Sequence, residues 1–118
     1  IGIQEHIHIC IKKKNKILLF STCSSQTDTA FRLAKLKGLD LNTFPVFPRN
    51  DINKFTKEQT YVNCNHVIEI SESEFGRLMK DGKVHRLDGH IDKFGLQLIA
   101  NGVKLSPEVE GRIKDLFD

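Results

Sequence analysis

The stretch Glu5-His6-Ile7-His8-Ile9-Cys10-Ile11, followed after a lysine cluster by Lys16-Ile17-Leu18-Leu19-Phe20-Ser21-Thr22-Cys23-Ser24-Ser25-Gln26, decides how the fold is read. Ile7, Ile9 and Ile11 alternate with His6, His8 and Cys10, so in a strand the isoleucines point to one face and the imidazoles and thiol to the other. The second segment is an apolar run that passes into hydroxyl, thiol and amide side chains. As a hairpin, the two segments place Lys12, Lys13, Lys14 and Asn15 at the turn. The end of the second strand then returns to the start of the first, which brings His6 and His8 towards Thr22, Ser24 and Gln26. Acid/base, nucleophilic and hydrogen-bonding groups gather at one end of a small sheet.

A chain of 118 residues fits one domain, 1-118, with a modest core. Its apolar fraction of 39% and charged fraction of 28% are those of a globular protein. No run approaches the roughly 20 apolar residues of a membrane span, so no membrane association is expected. The first residues lack a basic region followed by an apolar stretch, and no secretory signal is expected. Cys10, Cys23 and Cys64 are odd in number without CxxC spacing, which argues against a disulfide framework and for a reducing, cytoplasmic location. The net charge of +3 falls short of a nucleic-acid packaging protein. Its distribution is uneven: Lys12, Lys13, Lys14 and Lys16 cluster at the turn and Arg32, Lys35, Lys37 and Arg49 follow, whereas acidic residues come later. One end of the molecule could thus hold a phosphate backbone, or the lysines could form a solvated, aggregation-resistant edge.

The element order reads as strands first, helices last. Thr27 to Gly38 suits a short helix ended by Gly38, or a mobile loop. Phe44 to Pro48 is extended because each proline restricts its predecessor, and it reads as an edge strand or a strand entering a loop. Asn50 to Glu58 is polar and irregular. Thr60 to Ile70 is rich in β-formers with a break or bulge at Asn63 to Asn65, giving one bent strand or two. Ser71 to Glu74 is a capping box for a short helix through Met79. Asp81-Gly82-Lys83 forms a turn and Val84 to Leu87 a short strand. Asp88 caps a helix carrying Ile91, Phe94, Leu98 and Ile99 and ended by Gly102, and Ser106-Pro107 starts a last helix.

In that order the chain resembles the PemK/MazF-like family of small toxin-type barrels. Three places carry the likeness: Glu5 to Ile11, Ile17 to Gln26, and Gln59-Thr60-Tyr61-Val62-Asn63-Cys64, with Gly82 to Val84, Ile91 to Ala100 and Gly102 to Ser106 agreeing behind them. The resemblance implies an α+β fold, a small SH3-like, strongly bent antiparallel β-barrel with C-terminal helices. It implies a metal-independent endoribonuclease, a hydrolase of single-stranded RNA in a toxin-antitoxin system. No cofactor is expected; an antitoxin protein and a homodimer are. Ser24 matches the family's catalytic threonine position, with Ser25 and Gln26 following. The arginine position falls on Ile7, so a cation that would stabilise charge developing on phosphate is missing there. His6 or His8 could take over as acid/base or cation, or activity could be lost, leaving a barrel that binds nucleic acid or a partner protein.

The expected catalytic groups are therefore His6, His8 and Ser24. Lys12, Lys13, Lys14, Lys16, Thr22, Ser25, Gln26 and Arg49 are expected to contact RNA. Ser-Ser-Gln is also ordinary loop chemistry, and a histidine can simply be tolerated on a strand edge. A zinc site from His6, His8, Cys10, Cys23, Cys64 and His66 lacks the usual ligand spacing, so no metal is expected. Tyr61 with Phe44 or Phe47 could stack on a base, but a barrel without tryptophan needs its aromatics in the core.

Overall fold

The computed structural model describes residues 7–118, and the two decisive segments form an edge strand and the central strand of its single antiparallel sheet. Strand β1 (Ile7–Lys14) lies against β2 (Ile17–Ser24), with His8 opposite Thr22, Ile9 opposite Ser21 and Cys10 opposite Phe20. The register shifts between Cys10 and Lys12, so Ile11 bulges out of the ladder and its side chain is buried in the core. Such an extra residue bends the strand and raises its twist, which suits a curled sheet. The turn holds only Asn15 and Lys16, with Asn15 at φ 57, a conformation asparagine tolerates better than most residues. Lys12 to Lys14, expected in the turn, belong to β1 because they continue the ladder opposite Leu19, Leu18 and Ile17.

The other edge of β2 is shared. Strand β5 (Ile68–Ser71) takes its first half and β4 (Gln59–Val62) its end, while β3 (Val46–Pro48) lies outside β4, an edge position that its proline permits. Val62 pairs with Cys23 and Ile68 with Phe20, so only Ser21 and Thr22 of β2 face the whole segment from Asn63 to Val67. This is the expected break, larger than a simple bulge. The fold is α+β, a strongly curled antiparallel half-barrel with helices.

Core and outer faces of β2 have separate partners. Leu19 and Cys23 pack with Val62 and Cys64 and with Ile99 and Val103 of a C-terminal helix. On the outer face, α1 (Thr27–Lys37) lays Ala30 and Ala34 on Tyr61 and Phe44, whose rings meet edge to face at 5.8 Å. Further along, α2 (Glu72–Lys80) stacks Phe75 on Phe20 at 5.2 Å. Gly38 ends α1 at φ 66, its N–H donating to the Ala34 carbonyl, so the helix prevails over the loop. Ser71 Oγ accepts from the Glu74 N–H at 3.2 Å, but the reciprocal half of the capping box is missing because the Glu74 carboxylate pairs with Arg77.

The C-terminal third departs from expectation at four points. Val84 to Leu87 is irregular, not a strand: it has no ladder partner, and His85, Arg86 and Leu87 are exposed. Asp92, not Asp88, caps the helix, accepting from the Gly95 N–H at 2.7 Å. This helix, α3 (Lys93–Leu105), runs through Gly102 and buries Gly95, Ile99, Gly102 and Val103, leaving Phe94 74% exposed. Gly102 lets the helix cross the Asn42 carbonyl and Cys64, where an added Cβ would meet Asn42 O at 2.7 Å and Cys64 Sγ at 2.8 Å. Ser106-Pro107 makes a turn in place of a helix start: Ser106 Oγ accepts from the Glu108 N–H and donates to Asn65 Oδ1, so α4 (Gly111–Asp115) begins only after Glu110.

Burial pushes the Cys23 thiol up to about 11 and the Cys64 thiol up to about 12 from the usual 9.0. Each native thiol holds its proton at pH values where the unfolded thiol has lost it. Stability from this source is complete below the unfolded value and falls as pH climbs from 9.0 towards about 12. Urea midpoints measured across that range are expected to decline, and Cys64→Ala to flatten the decline; an unchanged slope in the variant contradicts the assignment.

Candidate functional site

The β1–β2 register puts His8 and Thr22 side by side, and even-numbered β2 residues share one face. On the other flank of β2 the Asn63 N–H donates to the Thr22 carbonyl at 3.0 Å, which places Asn63 next to Thr22 in turn. His8, Thr22 and Asn63 therefore form a row across β1, β2 and the residue that follows β4, about 10 Å from end to end at ~4.8 Å per step. Ser24, one step along the same face, pairs with Tyr61. Tyr61 is covered by α1 and Phe20 by α2, so the row lies in the gap between the two helices. His8 is exposed; Thr22, Ser24 and Asn63 are half-buried.

Ser24 Oγ accepts from the Gln26 N–H at 3.1 Å, which orients the hydroxyl and leaves its proton to donate. Ser25 and Gln26 are exposed at the strand end, Gln26 occupying the N-cap of α1 without a side-chain capping bond. His6 lies outside the described residues. Ile7 faces the other way from His8: it pairs with Cys23, whose thiol donates to the Ile7 carbonyl at 3.5 Å.

The basic residues do not converge on this row. Along β2 the lysines run away from the row: Lys12, opposite Leu19, is three residues or about 10 Å from Thr22 at ~3.3 Å per residue, at the limit of the roughly 8–10 Å over which salt leaves exposed charges coupled, and the turn is six residues or about 20 Å away. Lys13 pairs with Glu72 at 2.6 Å, and this hydrogen-bonded carboxylate raises the Lys13 pKa. Lys14 Nζ donates to the Asp118 carbonyl at 3.2 Å. Lys16 is exposed and Lys12 half-buried. Arg49 follows β3, two strands from β2 or about 10 Å to the side, and donates to the Thr56 carbonyl at 3.4 Å. These cations act only where a bound polyanion reaches them directly. Tyr61, Phe44 and Phe47 are core residues.

Asn63 escaped sequence reasoning, and His66 figures there only as a zinc ligand. Asn63 stands in the row because the ladder breaks immediately after Val62, and His66 is exposed on the same excursion. The only sequence signal was the clustering of Asn63, Asn65 and His66 at the expected break. Cys64 turns into the core, and Asn65 ties the excursion down, donating to Thr43 Oγ1 at 2.8 Å and accepting from Ser106 Oγ at 2.6 Å. Among the described residues no three His, Cys, Asp or Glu side chains group closely enough to hold a metal ion, and no helix is long and apolar enough to cross a membrane.

The chain matches no protein-family model, no curated protein and no solved structure at a significant level.

Proposed function

We propose that the chain is a toxin-like endoribonuclease, similar in kind to the PemK/MazF-like family, that cleaves single-stranded RNA at the His8 row. The observation that carries this reading is the register: an exposed imidazole beside two hydroxyls and an amide, on a face left open between two helices. RNA brings its own nucleophile, the 2′-hydroxyl, so the protein must move protons and hold the phosphate. His8 takes the 2′-hydroxyl proton as that oxygen bonds to the adjacent phosphorus, and the bond from phosphorus to the 5′-oxygen breaks to leave a 2′,3′-cyclic phosphate. His6, the second proton-transfer group in this reading, protonates the departing 5′-oxygen. Thr22 and Ser24 donate hydrogen bonds to the phosphate oxygens, where charge builds in the transition state. The reading requires no cofactor, and it carries with it an antitoxin protein and a homodimer.

The test is cleavage of single-stranded RNA by purified protein in the presence of chelator. Ser24→Ala removes one hydrogen bond to a charged group, worth about 1.5–3 kcal/mol, and is expected to lower the rate roughly 10- to 100-fold. Full activity in that variant removes Ser24 from the site.

Ile7 favours a second reading, a non-catalytic barrel that binds nucleic acid or a partner protein. It occupies the position where the resemblance puts an arginine, and it points away from the row. A gel shift without product supports this alternative.

A further inference from the structure

Beside Asn63, between the C-terminal half of α1 and the excursion after β4, lies a groove of about 260 Å³. Leu33, Leu39 and Phe44 give it apolar walls, and Asn63, His66, Lys37 and Glu108 supply polar groups. Asn63 Oδ1 accepts from the Asn65 N–H at 3.0 Å, which fixes the amide's orientation and leaves Nδ2 without a protein partner among the described residues. Lys37 and Glu108 enter none of the ion pairs among those residues. The groove is thus a small apolar slot with an amide donor, a carboxylate, an imidazole and an ammonium.

Those groups fit one nucleotide. The volume is below the roughly 300–1,000 Å³ of sites for drug-sized ligands, which suits one planar base better than a longer ligand. Unstacked bases are bound by apolar side chains on their faces and read along their Watson–Crick edges. Of the four RNA bases, guanine alone offers a carboxylate two adjacent N–H donors, at N1 and N2, beside a carbonyl oxygen that an amide N–H can reach. We infer that the groove is a guanine-nucleotide subsite of the RNA site, with Glu108 on N1–H and N2–H, Asn63 Nδ2 on O6, and Lys37 and His66 towards the phosphate. Asn63 joins the two places, since it also ends the row that begins at His8. This inference rests on the RNA reading above.

The test is titration of isotope-labelled protein with guanosine, adenosine, cytidine and uridine 5′-monophosphates, followed by amide NMR shifts. Guanosine monophosphate is expected to shift residues 33–39 and 63–66 and to bind at least about tenfold more tightly than the other three. Glu108→Gln keeps the side chain's shape but loses the double acceptor, and it is expected to erase that preference while the other three bind as before. Equal binding of all four, shifts elsewhere, or an unaltered preference in Glu108→Gln overturns the subsite. Specific guanosine monophosphate binding without RNA cleavage upholds the subsite and removes the ribonuclease reading. Cleavage without base discrimination does the reverse.

Discussion

His8→Ala is expected to lower the rate of RNA cleavage by about 10²–10⁴-fold, the range over which a positioned general acid or base contributes. The protein should otherwise be unchanged. The imidazole is exposed, so its removal opens no cavity, and a surface substitution of this kind shifts stability by about 0.5 kcal/mol or less. Circular dichroism and thermal melting check the fold; single-turnover cleavage of a short oligoribonucleotide checks the chemistry. Cleavage at the wild-type rate by a folded His8→Ala protein sinks the site. Because Ile7 faces away from Thr22 and Ser24, Ile7→Ala does not mimic the loss, and the contrast between two adjacent strand residues separates a site effect from damage to β1.

Gly102→Ala has an expected effect whose sign is diagnostic. At an ordinary solvent-facing helix position, glycine to alanine stabilises by about 1 kcal/mol. Here the added methyl would press on the Asn42 carbonyl at 2.7 Å and the Cys64 sulfur at 2.8 Å, and the backbone oxygen has little room to retreat. Overpacking of this kind costs typically ~1–3 kcal/mol, which at this chain length lowers the melting temperature by about 4 °C per kcal/mol. A melting temperature equal to or above that of the parent contradicts the helix crossing. The same displacement would disturb the segment carrying Asn63 and His66, since Cys64 anchors it, so weaker RNA cleavage should accompany the loss of stability.

Local pattern made much of this fold legible. The period-two alternation of Ile7 to Ile11, the proline-restricted strand at Val46 to Pro48, the glycine that ends α1 and the serine that caps α2 each act within a few residues. The antiparallel α+β class was what the family resemblance implied, and the structure has it. The hairpin also brought His8 beside Thr22, because a one-residue slip would turn Ile9 and Ile11 away from the core. Tertiary structure decided what depends on distant partners. Asp92 displaced Asp88 as a cap, and Gly102 sits inside α3, because the helix face is chosen by contact with Asn42, Cys64 and the sheet. Val84 to Leu87 has the composition of a strand but joins no ladder. The lysines were expected in the hairpin turn, yet a two-residue turn and a full-length β1 put Lys12, Lys13 and Lys14 in the ladder opposite Leu19, Leu18 and Ile17. Asn63 entered the row because two β2 residues face the five from Asn63 to Val67, and that mismatch is created by two ladders formed independently on one strand. Sequence determined which groups could share a face; the register between separate strands, set by the whole core, decided which of them do.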